Sequence, residues 1–222
     1  MTFDETSLVA DAGLILLATV AGRLGLEALV NSTVRLVRRA GGARPGRKVL
    51  TLVHAMAVGA DCIDDANRLR AGATGGVLGH RVMAPSTIGT FLRAFTFGHV
   101  RQLEAVIGRA IERAWGLGAG PTGVLVVDVD STICPVHGCA KQGAAFGYTR
   151  VLGYHPLLAT RADTGEVLHA RLRKGSANIA RSVVRFVDEL LARLGRAGGG
   201  EVVIVRPTRA STRTASSVGS PA

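Results

Sequence analysis

Cysteine is scarce and odd in number, with Cys62, Cys134 and Cys139 the only three in the chain. An odd count without a signal peptide argues against a disulfide framework and points to a reducing, cytoplasmic setting. Long apolar runs are missing too. The best of them, Ala12 to Gly22, is about half the length a bilayer requires and is bracketed by Asp11 and Arg23, so it reads as a buried helix. Acids are in short supply: 16 Asp and Glu stand against 27 Lys and Arg, a formal charge of +11. That balance fits a polyanionic partner, either nucleic acid or an anionic membrane surface, and equally a basic but unspecialised exterior.

What is present is enough apolar material to fold. At 222 residues and 47% hydrophobic content, the chain can build one domain of ordinary size and a smaller helical one. From Thr6 to about Leu36 apolar residues recur in threes and fours, the spacing of one helix or a broken pair. A basic loop follows, carrying Arg35, Arg38, Arg39, Arg44, Arg47 and Lys48 among glycines and Pro45, and it is expected at the surface. Val49 to Arg70 reads as two short helices, the second opened by Asp61, Asp64 and Asp65. Pro85 then begins a long amphipathic run that ends at Gly116, Gly118, Gly120 and Pro121.

Beyond Pro121 the period becomes extended. Val124 to Val129 is a Val-rich run of the kind found in central strands buried on both faces. Val151 to Arg161 and Glu166 to Arg173 are further strands, joined by the turn Asp163, Thr164 and Gly165. Ser176 to Arg196, with Ile179 on its apolar side, is an amphipathic helix, and Val202 to Val205 a fourth strand. Strand, strand, strand, helix, strand after a helical half is the opening of a ribonuclease H-like α/β domain. The fold class expected is therefore α/β, with a helical domain at 1–120, an incomplete ribonuclease H-like mixed sheet at 121–206, and a disordered tail at 207–222.

The chemistry concentrates in Val126 to Thr132, the string VVDVDST. Asp128 and Asp130 fall on one face of a strand because side chains alternate with period two. Two carboxylates at a strand end can hold a divalent ion, Mg²⁺ or Mn²⁺, and paired ions suit phosphodiester cleavage. The alternative is that one acid caps the following turn. Cys134, His137 and Cys139 lack the spacing and the fourth ligand of a zinc site and read as ordinary loop residues. Lys141, Tyr148, Arg150, Tyr154, His155, Arg171, Arg173 and Lys174 surround the proposed strands, either holding phosphates near the metals or lying on solvated edges.

The string DVDST, followed by ICPVHG, CAKQGAAFGYTRVLGYHPLLAT and LRKGSAN, resembles the DDE transposases of bacterial insertion sequences, group 1 type, over nearly all the chain up to Val205. The resemblance makes Asp130 the first catalytic acid and Asp128 its same-face neighbour. It implies Mg²⁺ or Mn²⁺ in the intact family, DNA partners in the form of terminal inverted repeats, and a homodimer. The motif D-x-D-x-T, here Asp128, Asp130 and Thr132, also opens the haloacid-dehalogenase-like phosphatases, in which Asp128 would be the nucleophile. Those enzymes begin a doubly wound parallel fold with this motif and need a downstream Lys, whereas here it follows a helical half and precedes hairpin strands.

The segment from Pro207 to Ala222, PTRASTRTASSVGSPA, has no apolar periodicity although it follows a buried-looking strand directly. In the resembled family that strand runs into a string like Arg-Ala-Asp-Ser-Gly-Phe, which presents the second catalytic aspartate. Codons for Arg206 to Ser211 of the form CGG-CCN-ACN-CGN-GCN-TCN contain, in the neighbouring phase, GCC-NAC-NCG-NGC-NTC, which can spell Ala-Asp-Ser-Gly-Phe. A frameshift near Arg206 is the expectation. Asp130 with Asp128 alone would not hold two ions, leaving an inactive copy that retains DNA binding.

Overall fold

Helical spacing in the first half of the chain and extended runs in the second become two kinds of layer. The computed structural model describes residues 8–36, 39–138, 141–177, 182–200 and 202–207, and the chain is mixed α/β. It divides into two compact units between Val106 and Ile107. Among the described residues, no single helix is long and apolar enough to cross a membrane.

The first unit contains α1 (Leu14–Arg23), α2 (Leu26–Thr33), α3 (Pro45–Ala57), a 3₁₀ segment (Ile63–Arg70), the single turn α4 (Thr74–Val77) and α5 (Pro85–Arg93). Pro45 and Pro85 sit in the first turns of their helices, where a missing N–H costs nothing. Gly25, at φ 60°, supplies the left-handed step that redirects the chain from α1 into α2. Leu14, Ala55, Ala66, Leu69 and Leu78 form the core.

Two expectations fail in this unit. The Ala12 to Gly22 helix is not buried: of α1 only Leu14 and Ala21 are, while Leu16 is 74% and Val20 52% exposed. The helix is apolar nearly all round, and the described residues cover one stripe of it. Nor does the basic loop stay at the surface through Lys48. Lys48 is buried in α3, its Nζ donates to the carbonyls of Gly41 (2.6 Å) and Ala43, and it lies 5.5 Å from the Phe91 ring centroid. Burial holds the Lys48 ammonium below its usual pKa. Its positive charge folds the loop around itself.

A long helix, α6 (Phe97–Ala114), follows α5. The amphipathic run from Pro85 is broken rather than continuous, because the Thr96 N–H donates to Nδ1 of His99 at 3.0 Å and so caps a new start. A π turn at Trp115–Ala119, with Gly118 at φ 95°, ends the run at the expected glycines.

In the second unit β1 (Leu125–Ser131), β5 (Leu157–Arg161), β6 (Val167–Arg171) and β7 (Val203–Pro207) form a sheet in the order β6-β5-β1-β7. The β1–β5 and β5–β6 pairs are antiparallel, and β1–β7 is parallel. A second, three-stranded sheet has the order β2-β4-β3, from β2 (Cys134–Pro135), β3 (Ala145–Phe146) and β4 (Leu152–Tyr154). The single strand expected at Val151 to Arg161 is thus divided between two sheets. Pro156, without an N–H, stands at the division. The Asp163-Thr164-Gly165 turn closes as expected, Gly165 N–H donating to Arg161 O at 2.8 Å.

Helix α7 (Val183–Ala197) packs Phe186, Leu190 and Leu194 against Leu125, Val127 and Val129 of β1 and against Leu157 and Leu168. The helix does not start at Ser176 as expected: Ser176 lies in a turn, Ala177 is not helical, and α7 begins at Val183; Ile179 lies outside the described residues. Strand β1 is central but fully buried on one face only. Its other face carries Val126, Asp128 and Asp130, which are half-buried or exposed.

One buried polar pair in the first unit was not anticipated. His54 Nδ1 lies 3.0 Å from His80 Nε2, with the rings stacked at 5.1 Å. His80 Nδ1 is 3.2 Å from Arg81 O, a carbonyl that can only accept, so His80 Nε2 is the acceptor for the His54 Nδ1–H. His54 Nε2 is then an unprotonated, buried nitrogen without a hydrogen-bond partner. Desolvation lowers both pKa values; for His54 the charge of His80 adds to it, and for His80 the Arg81 carbonyl and Glu27 oppose it while Arg47 reinforces it. Because folding depresses these values, the unfolded chain takes up protons that the fold refuses once pH drops below about 6.5. Thermal unfolding followed by circular dichroism should show stability falling between pH 7.5 and 5.5, at most about 1.4 kcal/mol per pH unit for each histidine. The slope should shrink in His54→Gln; an unchanged slope would mean that the pair does not carry it.

Candidate active site

The alternation of β1 that buries its valines turns both acids to the opposite face. Asp130, at the carboxyl end of the strand, is exposed, and its Oδ1 accepts a 2.7 Å hydrogen bond from the N–H of Ser131. Asp128, one step back on the same face, is engaged differently. Arg206 of β7 donates from Nε to Oδ1 at 2.8 Å and from its Nη2 to Oδ2 at 2.9 Å, a bidentate fork across the parallel pair. The register that sets Asp128 opposite Arg206 makes this possible. The fork raises the Arg206 pKa through its hydrogen bonds to Asp128 and the charge of that carboxylate.

The segment after Asp130 is fixed by a hydrogen-bonded joint. His155, buried between β4 and β5, places Nε2 3.2 Å from Ser131 Oγ, and its ring centroid lies 6.0 Å from that of Tyr148. His155 also exchanges backbone contacts with the buried Arg173: its N–H donates to Arg173 O at 3.2 Å, and its carbonyl accepts from Arg173 Nε at 2.9 Å. Arg171, by contrast, is tied to Glu189 of α7. Thr132 is exposed, and its N–H donates to Pro156 O at 3.3 Å.

The three-stranded sheet carries the remaining basic residues expected near the site. Lys141 and Arg150 are exposed on the loops flanking β3, Arg150 in the left-handed region at φ 58°. Lys174 is exposed and bridges Tyr154 through the backbone. The Tyr154 hydroxyl donates to Gln142 O at 2.9 Å, which draws the Lys141 loop toward the same sheet. Gly175 is where this region closes: a Cβ there would stand 2.1 Å from Ala145 O and 2.2 Å from Gly153 O. The LRKGSAN string therefore needs glycine because two carbonyls approach its backbone.

In the first unit, Arg35 and Arg39 are exposed, and Arg44 is exposed at φ 48° just before α3. Arg38 lies outside the described residues. Arg47 pairs with Glu27 at 2.9 Å, and Lys48 is spent on carbonyls inside the fold. Cys134 is an exposed free thiol and His137 is exposed, while Cys139 lies outside the described residues.

Asp61, Cys62 and Asp65 bring potential ligand atoms within 4.8 Å of one another, a grouping that sequence spacing did not single out. It is accounted for as a helix cap, since Asp65 Oδ2 already accepts from the N–H groups of Asp61 and Cys62 and from the Cys62 thiol. Those bonds, that from the Cys62 backbone foremost, hold the Asp65 carboxyl below its usual range.

Replacing Gly175 with Ala should destabilise the second unit by about 1–3 kcal/mol, the usual cost of forcing a methyl into a filled space. Urea unfolding followed by the fluorescence of Trp115 would register this as a lower midpoint. An unshifted midpoint would show that the backbone there yields freely.

Among curated proteins none matches the chain. The family model for transposase DDE domain group 1 matches residues 1–211, which include β1, both of its acids and the LRKGSAN segment. With the match covering far more than half of its length, the chain belongs to the transposase DDE domain group 1 family.

Proposed function

We propose that this is a transposase of bacterial insertion-sequence type whose second unit is the opening of a ribonuclease H-like catalytic domain, and that this copy has lost strand-transfer activity while keeping DNA binding. The observation that carries the reading is the register of β1 with β7. Asp128 stands opposite Arg206 and Val129 opposite Pro207, the last described pair, so the two strands run in parallel toward the end of β1 that carries Asp130. In the string Arg-Ala-Asp-Ser-Gly-Phe expected of the family, aligned on Arg206, the aspartate stands two positions after that arginine. Parallel neighbours are about 4.8 Å apart, close enough for two facing carboxylates to share ions. The strand order β6-β5-β1-β7, three strands antiparallel and the fourth parallel to the first, supports the same fold reading. The antiparallel β5 beside β1 weighs against the phosphatase alternative.

The described residues do not fit the pair of Mg²⁺ or Mn²⁺ ions that the intact family implies. Asp130 is the carboxylate on β1 that no cation among the described residues pairs with, its Oδ1 accepting only from the Ser131 N–H, whereas both oxygens of Asp128 face the guanidinium of Arg206. No chemical step is therefore assigned to a metal in this chain. In its place stands Thr208, where the family string has aspartate. A frameshift at about Arg206 accounts for that difference and for the tail; Pro207, expected in that tail, instead closes β7 opposite Val129.

DNA binding is assigned to the helical part, 1–120, and the catalytic fold to 121–206. Terminal inverted repeats are the proposed DNA target and a homodimer the proposed assembly, the latter supported by the exposure of Leu16 and Val20 of α1 among the described residues. Arg35, Arg39 and Arg44 have the exposure that phosphate contact requires, as do Lys141, Arg150 and Lys174 in the second unit.

Sequencing the encoding DNA through the Arg206 codon tests the frameshift. An Ala-Asp-Ser-Gly-Phe string in the neighbouring phase, continuing open to a further Glu, is the expected result. Stops in every phase would overturn it. Fluorescence anisotropy with duplex DNA over a salt series tests the binding surface: Arg39→Ala with Arg44→Ala should weaken binding and flatten the salt dependence by roughly one unit of slope per lost phosphate contact. Arg185→Ala, an exposed arginine of α7 in the second unit, should leave that slope unchanged, and an equal flattening there would remove the assignment to the loop.

A further inference from the structure

The fork between Arg206 and Asp128 gives the two acids of the DVDST string different roles. Both face the same side of β1, about 7 Å apart along the strand. A carboxylate that binds a divalent ion must present an oxygen lone pair to it, and both oxygens of Asp128 already face a cation: Oδ1 meets Nε of Arg206 at 2.8 Å and Oδ2 meets Nη2 at 2.9 Å. Asp130 makes one contact, from the N–H of its neighbour Ser131 to Oδ1. A guanidinium also cannot give up its charge to make room, so any cation approaching Asp128 must displace a fixed positive group.

The pairing has a structural product. Asp128 and Arg206 face each other in the parallel register, and the side-chain fork reinforces the backbone ladder near the last described pair, Val129 with Pro207. It thus aligns the end of β7 with the end of β1, where Asp130 lies.

We infer that Asp128 is a positioning residue and not a metal ligand: it holds Arg206, which aligns the end of β7 with Asp130, and Arg206 is a built-in cation that keeps divalent ions off Asp128. The inference rests on Asp130 being the metal-facing acid of this chain, as proposed above. Arg206 thereby sets the limit on how many carboxylates this face offers to a metal.

Manganese binding separates the two acids without any need for activity. The full chain and its Asp128→Asn, Asp130→Asn, Arg206→Ala and Arg206→Ala/Asp128→Asn variants are titrated with MnCl₂, free Mn²⁺ being read by electron paramagnetic resonance. With Arg206 in place, Asp128→Asn should leave the affinity within about twofold, while Asp130→Asn removes whatever binding the chain has. Arg206→Ala should tighten binding on the order of tenfold, because a positive charge leaves and a second carboxylate comes free. The double variant should lose that gain. A merely structural role for Arg206 predicts weaker binding on its removal, the opposite sign.

If Asp128→Asn weakens Mn²⁺ binding as much as Asp130→Asn does, or Arg206→Ala brings no gain while Asp130 still matters, Asp128 is a ligand and the inference is overturned. If Asp130→Asn changes nothing in any background, the site reading itself fails. Should Arg206→Ala not fold, the comparison of the two aspartate variants, made with Arg206 intact, decides the matter alone.

Discussion

The alternation of β1 is the constraint from which the second unit follows. Seven residues, Leu125 to Ser131, must bury Leu125, Val127 and Val129 beneath Phe186, Leu190 and Leu194 of α7. Period two then leaves the acids no choice of face. A slip of one residue would put Asp128 and Asp130 against the apolar side of α7, at the several kcal/mol that an unpaired buried charge costs. The hydrophobic core and the chemical face of this strand are therefore one decision. Everything else at the site is arranged around it: β5 antiparallel on one side, β7 parallel on the other, and the His155–Arg173 joint that anchors Ser131.

Much of this was legible in the sequence because it depends on local pattern. Helical spacing located α1 to α3 and the run that becomes α5 and α6, though not the single turn α4; the Val-rich run located β1, and Asp163-Thr164-Gly165 located the β5–β6 turn. The period that assigned Asp128 and Asp130 to one face needed no tertiary information. Membership in the transposase DDE domain group 1 family was likewise readable from DVDST and the strings after it, and the family match covers that same stretch.

What escaped the sequence depends on pairing between distant residues. Nothing local says that Lys48 would turn inward onto Gly41 and Ala43, because the five arginines of the same basic stretch are surface-type residues and a buried ammonium is exceptional. The division of one apparent strand into β4 and β5 follows from Pro156, which is visible, and from the second sheet that receives β4, which is not. The His54–His80 contact joins residues 26 positions apart. The Arg206–Asp128 fork joins residues 78 positions apart, and only the parallel register reveals it. Sequence reading set Asp128 beside Asp130 as a metal-facing carboxylate; in the structure it also pairs with Arg206, a contact no local pattern announces.

The most direct measurement is cleavage of duplex DNA with Mn²⁺ by a chain that follows the proposed neighbouring phase after Arg206. Strand cleavage by that chain that disappears with Asp130→Asn, alongside none by the present sequence, is the result expected if β1 and β7 together form a DDE site. Cleavage by the present sequence that survives Asp130→Asn would contradict it.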